Sequence, residues 1–209
     1  MKTHTKSSVN PARFAGTGVF FVVLTSLIVT ASARGGAEKI DAKNFEILGI
    51  SLASSTIEEV KHILGPASER TSTNPGNTVM CYAAPGNGRT ILEFENWTDP
   101  TEFRLFHGST EEVALCALSP KISDSLSTAS GLKLGMSQRQ VVTILGRPPK
   151  RHGNRVLYES PRLRPLTFEE RKRANETYPV PKTVEVYEKI DVDFRRSAVV
   201  RIDAVRSES

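Results

Sequence analysis

"GMSQRQVVTILGRPP", residues 135–149, repeats in outline what "SSTIEEVKHILGPA", residues 54–67, has already spelled. Placing Ser137 on Thr56 aligns Val141, Ile144, Leu145 and Gly146 with Val60, Ile63, Leu64 and Gly65, an offset of 81 residues. Each copy opens on a hydroxyl residue with Glu59 or Gln140 three positions on, the spacing of a reciprocal capping box. Met136 and Val141 add the spacing of a hydrophobic staple. Ile57, Val60 and Leu64 share one helical face, as do Val141, Ile144 and Leu145, so each short helix must cover something apolar. Gly65 and Gly146 then permit a left-handed exit, and Pro66 and Pro148 prevent continuation.

What the helices cover is written downstream. "TVMCYAA", "RTILEFEN" and "EFRLFHG" are β-prone runs separated by turn chemistry in the first copy, and "RVLYES", "VEVYEKIDVDF" and "AVVRIDAV" take their places in the second. Ile190, Val192 and Phe194 alternate with Asp191 and Asp193, and Val200 and Ile202 with Arg201 and Asp203. One face is apolar and the other wet, as in an antiparallel sheet covered by helices on one side. "ILEF" and "DVDF" read as the same strand in the two copies. The expectation is an α+β fold of two tandem repeats, each with short helices packed on one face of a small antiparallel β-sheet. Its boundaries are a signal peptide at 1–33, an N-terminal segment at 34–47, a first repeat at 48–118, a serine-rich linker at 119–130, and a second repeat at 131–206. The second repeat carries an insertion at 161–182, whose "TFEERKRANE" spells a short charged helix capped by Thr167 and Glu170.

The start of the chain reads as an export signal. Lys2, Lys6 and Arg13 precede an uncharged apolar run, and Ala31-Ser32-Ala33 offers small residues for cleavage. The alternative is an uncleaved membrane anchor, because Phe14 to Thr30 approaches the roughly 20 residues of a spanning helix. With cleavage after Ala33 the expected location is periplasmic or secreted; an uncleaved leader would add an N-terminal membrane anchor.

The full chain holds 28 Lys and Arg against 23 Asp and Glu. Removing the three basic residues of the leader leaves 25 against 23, too even a balance for a dedicated nucleic-acid binder. The distribution is uneven: residues 38–118 hold 6 basic and 12 acidic residues, and 119–209 hold 18 and 11. The basic excess gathers around the second helix and the insertion. Arg147, Lys150, Arg151, Arg162, Arg164, Arg171, Lys172 and Arg173 therefore form the candidate binding surface, suited to an acidic envelope or secreted protein, an anionic lipid or an anionic glycan. The bland alternative is a solvated face.

Cys81 and Cys116 are the only cysteines. In an exported chain a structural disulfide is the leading reading. Two isolated thiols without neighbouring histidines supply too few ligands for zinc, and apolar surroundings speak against a reactive thiol. A simple meander would place the two cysteines about three strand spacings, roughly 14 Å, apart. Pairing therefore requires "EEVALCAL" to return beside the strand that carries Cys81.

The stretch "GLKLGMSQRQVVTILGRPPKRHGNRVLYES", with the later "IDVDFRRSAVVRIDAV", resembles the SmpA/OmlA domain of outer-membrane-assembly lipoproteins. The tandem layout is similar to the secreted β-lactamase inhibitor proteins, which duplicate a related unit. The resemblance implies two helices packed on a small antiparallel sheet and a role in protein binding or scaffolding. It covers residues 131–206 well and 48–107 weakly, and this chain lacks the lipidated cysteine of the assembly lipoproteins. An inhibitor would need exposed aromatic anchors, for which Phe94, Trp97, Phe103 and Phe106 are the candidates.

No catalytic constellation is legible. His62, His107 and His152 are scattered, Glu58 and Glu59 fit the first turn of a helix better than a convergent pair, and no phosphate-binding glycine motif occurs. The reading is a non-enzymatic envelope protein that binds or scaffolds another protein, with no cofactor and no metal. The alternatives are inhibition of a secreted or periplasmic enzyme, and an enzyme whose site the sequence hides.

Overall fold

The computed structural model describes residues 40–52, 54–96, 99–174 and 182–208. The signal segment 1–33, Trp97 and the stretch 175–181 of the insertion lie outside the described residues. In chain order a 3-10 turn (Ala42–Phe45) leads into a small hairpin, β1 (Glu46–Ile47) and β2 (Ile50–Ser51). Then come α1 (Ile57–Leu64), β3 (Ser68–Thr71), β4 (Thr78–Ala83), β5 (Thr90–Asn96), β6 (Pro100–His107), α2 (Thr110–Ala114) and β7 (Ala117–Leu118). The second half supplies α3 (Gln138–Leu145), β8 (Lys150–His152), β9 (Arg155–Pro165), α4 (Phe168–Ala174), β10 (Thr183–Arg195) and β11 (Ala198–Glu208).

Both capping boxes form. The Thr56 hydroxyl accepts from the Glu59 amide at 3.2 Å while the Thr56 amide donates to the Glu59 carboxylate at 2.8 Å. Ser137 and Gln140 repeat the exchange at 3.4 and 2.8 Å. Gly65 and Gly146 end the helices at φ 93° and 79°, a region closed to most side chains. Val60, Leu64 and Val141 are buried against the sheet, which is what the apolar stripes required.

The sheet is not the pair of small sheets expected. One nine-stranded sheet runs β3-β4-β5-β6-β11-β10-β9-β8, antiparallel along this path, with β7 added parallel to β4. The strand order is palindromic about the β6–β11 pair, where Phe103 faces Ala204 and Leu105 faces Ile202. The expected α+β class therefore gives way to a predominantly β architecture: β10 alone spans 13 residues, and no described helix exceeds eight. The physical reason is the edge. Each repeat ends on a strand with a free row of N–H and C=O groups, and joining β6 to β11 satisfies both rows at once.

One face of this sheet carries the hydrophobic core. Met80 and Tyr82 of β4, Leu92 and Phe94 of β5, Phe103 and Leu105 of β6, Ile202 and Ala204 of β11, and Ile190 and Val192 of β10 all join α1 and α3 in a single cluster. The segment read as a linker contributes Ile122 and Leu126 to that cluster, and Phe45, Ile47, Ile50 and Leu52 close it from the N-terminal side. Phe94 and Phe103 are fully buried there in an edge-to-face pair with centroids 6.5 Å apart, so neither is an exposed anchor.

Cys81 and Cys116 form a disulfide with Cα atoms 4.8 Å apart. The connection follows the route that pairing demanded: β7 returns beside β4, with Ala117 opposite Tyr82 and Leu118 opposite Ala83. The bond lies on the sheet face opposite the core, and it pins α2 over a small apolar patch of Cys81, Ala83 and Ile91.

Candidate functional site

Strand alternation sends every second side chain to the face away from α1 and α3. Three rows of register cross that face. Glu93 of β5 stands beside Arg104 of β6, Arg104 beside Asp203 of β11, and Asp203 beside Asp191 of β10. On one side run Glu95, Glu102, Val205, Lys189 and Glu159; on the other run Ile91, Phe106, Arg201, Asp193 and Arg155. Apart from α2 and β7 near β4, no described element covers this surface.

Most of the charges hold one another in fixed pairs. The Arg104 guanidinium donates to Glu102 at 2.6 Å and to Glu95 at 2.7 Å, and lies 3.9 Å from Glu93. Arg70 on the edge strand reaches Glu93 from the other side. Glu95, nearly inaccessible, also accepts from Ser72 at 2.6 Å, Asn74 at 2.6 Å and Asn77 at 3.0 Å. Burial alone would push its carboxyl up, but these donors and Arg104 outweigh burial and hold it below the ordinary value. Glu102 goes the other way: burial dominates over its bond to Arg104, and its carboxyl is raised. Arg155 grips Asp191 with two N–H groups and lies 3.8 Å from Asp193. Asp193 is raised, first by burial and then by the neighbouring aspartates, against the pull of Arg155.

Two concavities lie at one end of the face. A shallow cleft of about 560 Å3 is bounded by Arg89, His107, Arg195 and Arg201, with Phe106 and Val200 as its apolar part. A groove of about 270 Å3 runs between α2 and the sheet, lined by the disulfide, Ile91, Phe106 and Leu115, with Arg70 and Arg104 matched at its side by Glu69, Glu93 and Glu112. Phe106 and Arg201 belong to both, and the Arg201 guanidinium carbon sits 5.7 Å from the Phe106 ring centre. Among the described candidates, Phe106 is thus the aromatic anchor that reaches this face, half-exposed.

The basic residues singled out in the sequence are not brought together as one patch. Arg162 and Arg164 stand on the core-side row of β9. Arg162 pairs with buried Glu188 at 2.9 Å, and Arg164 with Glu170 of α4 at 2.6 Å and with Glu208. Lys150 pairs with Glu159 at 2.5 Å, and the exposed Arg151 donates to the Gly153 carbonyl at 3.2 Å. Arg147 is exposed after α3, and Arg171 and Lys172 are exposed on α4. The Arg173 side chain lies outside the described residues. Three of the eight, Lys150, Arg162 and Arg164, thus neutralise specific carboxylates, which a charge count cannot reveal. The arginines that line the cleft, Arg89, Arg195 and Arg201, carry no local charge run that would have marked them.

The histidines stay apart: His62 is exposed on α1, His152 on the edge strand β8, and His107 lines the cleft with Nδ1 3.4 Å from the Thr90 hydroxyl. Glu95, held by Arg104 and three further donors, is a poor proton acceptor, and the clamped carboxylates of this face present rigid, oriented charge. No helix among the described residues is long and apolar enough to cross a membrane. Comparison of the chain with protein-family models, with curated proteins and with solved structures gives no match.

Proposed function

We propose that this chain is a non-enzymatic binding or scaffold protein of the bacterial envelope that docks a partner protein on the open face of its sheet. The observation that carries this reading is the asymmetry of the sheet. One face is packed under α1, α3 and their flanking segments. The other leaves Phe106, Val205, Leu157, Tyr187 and Leu163 half or fully exposed between fixed ion pairs. Apolar side chains framed by pre-oriented charges combine desolvation with specificity, the composition of a protein-protein contact. The disulfide supports an oxidising compartment outside the cytoplasm.

Affinity capture from an envelope extract on the immobilised chain tests this reading. Val205→Asp together with Tyr187→Ala, both on the open face, should remove most of the captured partner. His62→Ala together with Arg139→Ala, exposed on α1 and α3, should remove none. Equal capture by both double variants contradicts the proposal.

A further inference from the structure

Residues 109–118, between β6 and the buried Ser119, cross the open face as a strap. Its first anchor is Gly108, whose amide donates to the Arg89 carbonyl at 2.8 Å while its own carbonyl accepts from Arg89 Nε at 2.9 Å. The seat is close-fitting, since a Cβ at Gly108 would overlap the Ile91 side chain. The second anchor is Ser119, whose amide donates to the Ala83 carbonyl at 3.0 Å, with Ile122 beyond it in the core. Between the anchors the non-covalent hold is slight. α2 buries none of its residues, and Val113 packs only partly buried against the patch of Cys81, Ala83 and Ile91. β7 pairs with β4 at two positions, and Ala117 touches the core partly buried. Glu112 is attracted by Arg70 and Arg89 from an exposed position, where solvent screens the attraction.

The covalent tie is the Cys81–Cys116 bond, and its two sulfurs differ in access. Cys81 is 3% exposed on β4, whereas Cys116 is partly exposed, and both line the groove between α2 and the sheet. A small thiol therefore reaches the bond from the Cys116 side. Cys116 Sγ also lies 3.3 Å from the Glu112 carbonyl oxygen, so as a thiol it has an acceptor on the strap itself. Ordering a backbone segment costs entropy residue by residue, and a few edge contacts offset little of that cost once the covalent constraint is gone.

We infer that the disulfide is a redox-operated clasp: reduction by a dithiol, whether a small molecule or a paired-cysteine protein, frees residues 109–118 from the sheet and uncovers Ala83, Ile91 and Phe106, while the sheet and its core stay in place. The device stands independently of what docks on the open face. The exchange balances as a two-electron transfer. A thiolate of the dithiol attacks Cys116 Sγ, the accessible sulfur; the Cys81–Cys116 bond breaks, and Cys81 leaves as a thiolate that takes a proton from water. The second thiol of the reductant then displaces the Cys116 thiolate, which is protonated in turn. The reductant ends as a disulfide and the protein carries two thiols.

Hydrogen exchange read by mass spectrometry tests it, on the purified full chain before and after dithiothreitol without denaturant. Thiol alkylation should show both cysteines reduced under these native conditions. Exchange within residues 109–118 should rise by about tenfold or more, the behaviour of a segment that opens locally, while β5, β6, β10 and β11 keep their protection. Reoxidation should restore slow exchange in the strap. Cys81→Ser with Cys116→Ser should show the fast strap from the start and no response to dithiothreitol; the wild-type measurement carries the test should that variant fail to fold. Val113→Asp should leave the strap slow while the disulfide is intact. Three results would overturn the clasp. The disulfide could resist dithiothreitol until denaturant is added, or reduction could leave exchange in 109–118 unchanged, or it could raise exchange equally across the sheet, which is the behaviour of a staple for the whole fold. A strap released by Val113→Asp with the disulfide intact counts against it equally.

Discussion

Tyr158 donates its hydroxyl hydrogen bond to the carbonyl of Gly146, the residue that ends α3, at 3.0 Å. The relationship is duplicated: Tyr82 of β4 donates to the carbonyl of Gly65, at the end of α1, at 3.1 Å. In each half a buried ring under the helix reaches the exit glycine, and burial raises both phenols to about 12. This bond ties helix to sheet in each repeat. Tyr158→Phe keeps the ring and removes the donor, leaving the helix-end carbonyl short of a partner, so it should cost about 1 kcal/mol. Tyr82→Phe should cost the same, and the double variant should show the sum, because the sites share no partner. Urea denaturation followed by circular dichroism measures all three.

Gly65 has φ 93° and ψ −175°, and a Cβ placed there meets nothing within 4 Å. The penalty for Gly65→Ala is therefore one of backbone conformation alone, about 1–3 kcal/mol. A shift of the thermal midpoint without change in the partner-binding surface is the expected outcome.

Glu95 makes stability depend on pH. Its folded-state value is depressed, so its contribution is present at neutral pH and is lost as pH falls through the carboxylate range. Glu95→Gln should cost about 2 kcal/mol at pH 7. The gap between the two proteins should close below about pH 4, where wild-type Glu95 is itself being protonated. Denaturation midpoints at several pH values check this; a constant gap contradicts it.

The disulfide spans 35 residues, for which loop-closure entropy predicts a stabilisation of about 3–4 kcal/mol. Cys81→Ala with Cys116→Ala should lose most of that. Reductant should destabilise the wild type and leave the double variant unchanged.

The start and stop of both main helices, both capping boxes, the Thr167 cap of α4, the long strands and the cysteine pairing were legible, because each depends on neighbours within a few residues or on a single distance constraint. "ILEF" and "DVDF" do occupy matching places, in β5 and β10 of the palindromic order. The fusion at β6–β11 was not legible, since alternation identifies a strand and its faces but does not say which edge it meets. The short edge strands β3 and β8 were hidden for a related reason: "SERT" and "KRH" have no apolar alternation to declare them. Ile122 and Leu126 passed as linker because serine surrounds them. The site was the least legible part, because Arg89, Phe106, Arg195 and Arg201 meet only through strand register, while Lys150, Arg162 and Arg164 of the conspicuous basic run pair with Glu159, Glu188, Glu170 and Glu208.

The reading of the open face is tested most directly by site-specific photo-crosslinking in cells that produce the chain. A photoreactive amino acid in place of Val205 or Tyr187 should yield a discrete adduct with one envelope protein, and in place of His62 or Arg139 it should yield none. Adducts confined to the helix positions, with none from Val205 or Tyr187, would contradict docking on the open face.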